Sequence, residues 1–407
     1  MLRFKEYLIE AKEGKNLHLE HLEDEVLNNG INGTRAAINF LRSLRDMLAG
    51  SAKKSVNVSV KWDGAPAVFA GINPENDKFF VGTKGVFNKT PKVNYTDADI
   101  DANHSSAGLN AKLKVALKYL PKLGIKDVLQ GDMLFTQDDF STETIDGISY
   151  TTFTPNTITY AVPKESASKI EKSKMGIVWH TTYSGDTLQS MRASFGASVK
   201  GLTKTNDVWF TDADYKDTSG TINFNKAETS TITSVLSQAG KTFSKFNTHF
   251  TKQLMSRQDV VLLIKTFNNV KVREGQKISN TSKHSQELIK YVGVKMQKNI
   301  DSVKTLKTKE AKQKIKDELI SFLTSNKGNL KTIFDMQNLL TDAKNMIIRK
   351  LEKARGVMDT FIRTDNGYRV TAPEGFVAID QMGDAVKLVD RLEFSQANFT
   401  AAKNWAK

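Results

Sequence analysis

Residues 55–64 read Ser-Val-Asn-Val-Ser-Val-Lys-Trp-Asp-Gly. Val56, Val58 and Val60 alternate with Asn57 and Ser59, the two-residue period of a half-buried strand. That strand runs into Lys61, and Trp62-Asp63-Gly64 follows it as a turn. Residues 67–71 and 79–82 continue as two further strands on either side of a turn-forming run at 73–77. Working outward, residues 17–48 keep helical spacing with a loop at 28–33. Residues 109–120 read as a helix stopped by Pro121. Strands are predicted at 128–135, 157–162 and 176–182, and 203–225 reads as loops with short strands.

From 227 to 358 the period becomes helical, with Ile289, Val292, Met296, Ile300 and Val303 on one face. All seven prolines lie outside this segment. Strand signals return at 368–371, 375–379 and 385–390. The expected fold is α+β: antiparallel sheets around a cleft, formed by residues 12–226 and 359–407, with an all-α insertion at 227–358.

Composition bounds the chemistry. The chain has 407 residues and no cysteine, which excludes disulfides, zinc thiolate sites and cysteine nucleophiles and permits a reducing compartment. No run approaches the roughly 20 apolar residues of a membrane span, and the start, MLRFKEYLIE, is too polar for a secretory signal. The net charge of +14 is uneven: residues 241–355 hold 25 Lys or Arg against 10 Asp or Glu, so the rest is near neutral. Such a segment reads as a surface facing a polyanion, with a solvated lysine-rich helical face as the plain alternative.

Lys61-Trp62-Asp63-Gly64 is the sharpest feature. A lysine attacks the α-phosphate of ATP only as a neutral amine, so a pKa of about 10.4 must fall. A glycine three residues on allows a tight turn beside a nucleotide. Alone, K-x-D-G reads as a strand end followed by a polar turn. Three later strands add to it: Gln130-Gly131-Asp132, Pro373-Glu374-Gly375-Phe376-Val377, and Ala385-Val386-Lys387-Leu388. Lysine, acid, acid and lysine on successive strands suit metal-assisted nucleotidyl transfer, with Asp132 and Glu374 on Mg²⁺ or ribose and lysines on phosphate.

This order resembles the covalent nucleotidyltransferase superfamily of DNA ligases, RNA ligases and mRNA capping enzymes. The resemblance runs from about Val56 to Asp390, interrupted by the basic helical segment. It implies that Lys61 forms the lysyl–AMP phosphoramide, with Asp63 and Gly64 completing its motif at the nucleotide. It implies that Lys84, in Gly82-Thr83-Lys84-Gly85, reads phosphate or ribose. Asp132 would lie near the ribose, Glu374 would associate with metal, and Lys387 would meet the triphosphate. A base-stacking platform is implied within 176–183, and Val178, Trp179 or another aromatic there remain open choices.

Two positions depart from the family pattern. Ile379 and Val389 stand where lysines are usual, and Lys89, Lys92 or Lys204 are the candidates to replace the lost charge. The OB-fold that follows in many ligases is not expected, which leaves the basic insertion as the nucleic-acid grip. The implied activity is ATP-dependent joining of DNA or RNA strands, with ATP and Mg²⁺ as cofactors. The rivals are a nucleotidyltransferase that does not ligate, as in capping, and an inactive nucleic-acid-binding virion protein. His18 and His21, in the acidic run HLEHLEDE, read as a polar helix surface or a metal site, and His180 as a satisfied half-buried residue.

Residues 1–11, MLRFKEYLIEA, resemble the leader of internal head proteins of T-even-like bacteriophages. The resemblance implies cleavage after Leu8-Ile9-Glu10 and a place in the virion interior or the host cytoplasm. A frayed amphipathic turn is the alternative reading.

Overall fold

The computed structural model describes residues 21–50, 57–214, 223–353, 358–364, 367–370, 374–379 and 385–392. The expected leader at 1–11 and His18 lie outside them. The described chain is α+β, with 14 strands in three sheets. In chain order, α1 (Glu25–Asn28) and α2 (Gly30–Leu48) lead into β1 (Asn57–Lys61), β2 (Ala67–Ile72) and β3 (Phe79–Gly82). Helices α3 (Asp97–Asn103) and α4 (Ala107–Tyr119) precede β4 (Val128–Thr136), β5 (Ser141–Ile145), β6 (Ile148–Phe153) and β7 (Ile158–Pro163). Then come α5 (Ser168–Lys172), β8 (Met175–Ser184), β9 (Arg192–Phe195) and β10 (Val208–Asp212). The helical segment holds α6 (Lys226–Phe243), α7 (Thr248–Ser256), α8 (Gln258–Arg273), α9 (Thr281–Asp301), α10 (Leu306–Ser325) and α11 (Lys327–Leu351). The chain returns to sheet as β11 (Asp359–Thr364), β12 (Gly367–Val370), β13 (Gly375–Ile379) and β14 (Ala385–Leu388).

The sheet orders are β1-β13-β14, then β10-β8-β4-β2-β3 with β9 on β8, then β12-β11-β7-β6-β5. Every strand pair is antiparallel except β8 with β10. The six-stranded sheet is apolar on both faces. Met133, Ile177 and Trp179 pack under α3 and α4. Leu134 and Val178 face Phe153, Ile158 and Tyr160 of the five-stranded sheet.

The helical segment does not bury its apolar stripes by itself. One cluster joins Leu41 and Leu44 of α2, Leu340 and Ile347 of α11, and Phe376, Ala378, Val386 and Leu388 of the three-stranded sheet. Helix α11 supplies the longest stripe, from Leu330 to Leu351 at three- and four-residue steps. Residues 30–33, expected as loop, belong to α2, where the Thr34 hydroxyl donates to the Gly30 carbonyl at 2.7 Å. No described helix is long and apolar enough to cross a membrane.

Candidate functional site

Strands β1 and β13 pair in antiparallel register with Lys61 opposite Gly375 and Val60 opposite Phe376. Glu374 immediately precedes Gly375, so this register sets its carboxylate beside the Lys61 side chain. The two form an ion pair. On the other side of β13, Val377 lies opposite Lys387 of β14, and the Lys387 Nζ stands 4.0 Å from the second Glu374 oxygen. Gly375 makes the close strand approach possible. Its φ is +151°, and an added Cβ would lie 2.4 Å from the Leu388 carbonyl oxygen.

Asp132 enters from β4. The turn after Lys61 presses Gly64 so close to that strand that a Cβ there would fall 2.6 Å from the Asp132 Cβ. The Ala65 amide donates to the Met133 carbonyl at 2.9 Å, and the Met133 amide donates to the Pro66 carbonyl at 3.1 Å. Asp132 thereby adds its negative charge to the field at Lys61. On the neighbouring strand, the His180 Nε2 stands 3.7 Å from the Asp132 carboxylate. Lys61, Asp132, Glu374 and Lys387, expected from sequence to share a site, therefore meet at one place, three from strands β1, β4 and β14 and Glu374 from the residue just before β13.

The charges there do not sit at their ordinary values. Burial pulls the Lys61 ammonium down, but Glu374, then Asp132 and Asp63, outweigh it, and its pKa ends above the usual lysine value. This is opposite to the fall that nucleophilic attack requires. Burial pushes Glu374 up despite Lys61 and Lys387. Burial, then the Lys61 charge, lowers Lys387 to about 8.

Other expected site residues have different surroundings. Asp63 is buried, and its carboxylate accepts from the Asn156 side chain and from the amides of Thr157 and Ile158, each at 2.7 Å. Its own amide donates to the Tyr160 hydroxyl at 2.7 Å. Asp63 thus anchors the turn to the start of β7 and does not present a free carboxylate to a nucleotide. Trp62 stacks on Tyr160 with ring centroids 5.3 Å apart. Trp179 is fully buried on the face of β8 that packs under α4, away from Asp132, so it offers no stacking platform to the cleft. Lys84 is exposed at the first position of a 3₁₀ turn and stands outside the ion-paired group. Val389 is a core residue at 1 % exposure, so a lysine there would have to displace packing against Gly375. Lys92 donates to the Asn103 carbonyl at 3.0 Å.

Among the described residues, no three His, Cys, Asp or Glu side chains converge as a metal-binding group. Asp132 and Glu374 suit the other mode of Mg²⁺ binding, in which one or two carboxylates share the ion with phosphate and water.

The acidic run at 21–25 is not a polar surface. Glu23, Asp24 and Glu25 are buried. Glu23 accepts from Lys344 of α11 at 2.7 and 2.9 Å, and Asp24 pairs with Arg391 at 3.1 Å. Burial pushes Glu23 up, but Lys344 and its neighbours win and hold it at about 2. His21 makes a parallel bridge to Lys387, and burial keeps its imidazole well below the ordinary value. This buried network lies directly behind the strand that carries Lys387. Sequence reading did not find it, nor did it find Tyr160.

One family model matches residues 16–403, described as a family of unknown function, DUF6267. The chain belongs to that family. The match takes in all four clustered side chains and the helical segment between them. No curated protein and no solved structure matches the chain.

Proposed function

We propose that the cleft carries out covalent nucleotidyl transfer, with Lys61 as nucleophile, in the service of ATP-dependent joining of DNA or RNA ends. The observation that supports this reading is the meeting of Lys61 of β1, Glu374 just before β13, Lys387 of β14 and Asp132 of β4. In the first step the neutral Lys61 amine attacks the α-phosphorus of ATP. An N–P bond forms, the bond to the bridging oxygen breaks, pyrophosphate leaves with the electron pair, and the amine proton is lost. AMP then passes to a 5′-phosphate, and a 3′-hydroxyl displaces it to seal the strand.

The ion pair sets a condition on that step. The Lys61 ammonium must part from Glu374 before its amine is nucleophilic. Mg²⁺ arriving with ATP, held by Asp132 and Glu374, would supply charge neutralisation on the triphosphate. Lys387, with its pKa near 8, is placed to add positive charge beside Glu374.

The raised Lys61 pKa also supports a second reading, in which the scaffold is retained without catalysis and serves nucleic-acid binding. Incubation of the full chain with α-labelled ATP and Mg²⁺ separates the two. The proposed enzyme becomes labelled and Lys61→Ala does not. Label that persists in Lys61→Ala removes Lys61 from the mechanism.

A further inference from the structure

The charge excess of the helical segment is not shared evenly among its helices. Residues 290–316 hold nine lysines against two acids, Asp301 and Glu310. They run from the middle of α9 through its connection into the first half of α10, and these two helices pack against each other. Elsewhere in the segment many of the cations are compensated. Arg257 pairs with Asp259, Lys331 with Asp335, Lys344 with Glu23 and Lys350 with Glu228. Among the described residues, none of the nine lysines between 290 and 316 forms an ion pair. Lys290, Lys298, Lys304, Lys307 and Lys314 are exposed.

We propose that this α9–α10 hairpin is a docking surface for the phosphate backbone of nucleic acid. Uncompensated, flexible ammonium groups on one hairpin complement a polyanion, and counterion release on contact supplies affinity without reading sequence. Base stacking plays no part in it. The one aromatic residue in 290–316, Tyr291, packs against Phe267 with centroids 5.2 Å apart. An anionic membrane is the weaker fit. The exposed aliphatics are isolated, and Leu306 and Ile315, nine residues apart, fall on opposite sides of α10. A helix that lies in a lipid interface needs one continuous apolar face. The surface is independent of the chemistry at Lys61.

The test is fluorescence anisotropy of the full chain with a labelled duplex and a labelled single strand, across about 50 to 200 mM salt. The expected result is binding whose logarithm falls linearly with the logarithm of salt. In the triple variant Lys290→Gln, Lys298→Gln, Lys314→Gln, affinity falls about tenfold or more and the slope shallows by about 2 to 3. Lys331→Gln, at a lysine already paired with Asp335, leaves both within about twofold. Lys61→Ala binds as wild type, so loss of nucleotidyl transfer and loss of docking are read separately. Circular dichroism confirms that the triple variant folds. Wild-type slope and affinity in the triple variant would overturn the proposal, as would no nucleic-acid binding by the wild type. Lysine-dependent binding to phosphatidylserine vesicles, without lysine-dependent nucleic-acid binding, would overturn it too.

Discussion

The Lys61 ammonium lies against the Glu374 carboxylate, although 313 residues separate them in the chain. The antiparallel register of β1 and β13 produces this contact, with Gly375 directly opposite Lys61. Glu374 is the main reason the Lys61 ammonium holds its proton against burial.

Removing that carboxylate should release the proton. In Glu374→Gln, burial and the positive Lys387 still act on Lys61, and the largest opposing charge is gone. The Lys61 pKa is expected to fall relative to wild type. NMR titration of ¹³C-methylated lysines, with Lys61→Arg to assign the signal, measures it. An unchanged titration would mean that Glu374 does not govern the amine.

Gly375→Ala should weaken the three-stranded sheet. Its backbone has φ +151°, and the new methyl would meet the Leu388 carbonyl at 2.4 Å. A loss of about 1–3 kcal/mol is expected in urea unfolding. Gly201→Ala, with open space around it, should stay within about 0.5 kcal/mol.

Lys344 and Glu23 form a buried pair behind β14, with Lys344 fully buried and Glu23 nearly so. Lys344→Met leaves a carboxylate without its main partner and should cost about 3–5 kcal/mol. The double variant Lys344→Met, Glu23→Gln should recover much of that loss, because both charges are gone. A double-mutant cycle by chemical denaturation gives the coupling. Additive losses would show that the pair is not energetically joined.

Acid should destabilise the helical segment through His284. It is buried against the Phe267 and Phe334 rings, and burial lowers its pKa to about 4. The folded value lies below the unfolded one of about 6.5. The stabilisation is therefore fully present above about pH 6.5 and is lost as pH falls towards 4, up to about 3 kcal/mol. His284→Gln should flatten the stability profile across that window. A slope unchanged by the substitution would assign the acid sensitivity to other groups.

The strands that carry the site were legible because local alternation marks them. Val58 and Val60 lead to Lys61, Glu374 stands just before the apolar β13, and β14 carries Lys387 between apolar residues. Which face a residue takes was less legible. Trp179 and His180 are neighbours on β8 and so face opposite sides of the sheet, and only His180 reaches the Asp132 side. Which side each takes follows from pairing with β4, whose register shifts between Gln130 and Gly131 and between Met133 and Phe135, and no local pattern shows that. The acidic run misled for another reason. Glu23 and Asp24 look solvated until Lys344 and Arg391 arrive, 321 and 367 residues later. The β5–β6 hairpin was missed despite its Asp146-Gly147 turn, where both residues have positive φ. Its flanking strands are rich in threonine and serine and show little apolar alternation.

Nucleotidyl transfer to Lys61 is tested most directly by the intact mass of the full chain after incubation with Mg²⁺ and ATP, and separately with GTP, followed by peptide mapping. With ATP the chain is expected to gain the mass of one adenylyl group on Lys61, absent from Lys61→Ala. A folded wild-type chain that keeps its original mass with both nucleotides, or an adduct mapped to another residue, would contradict it.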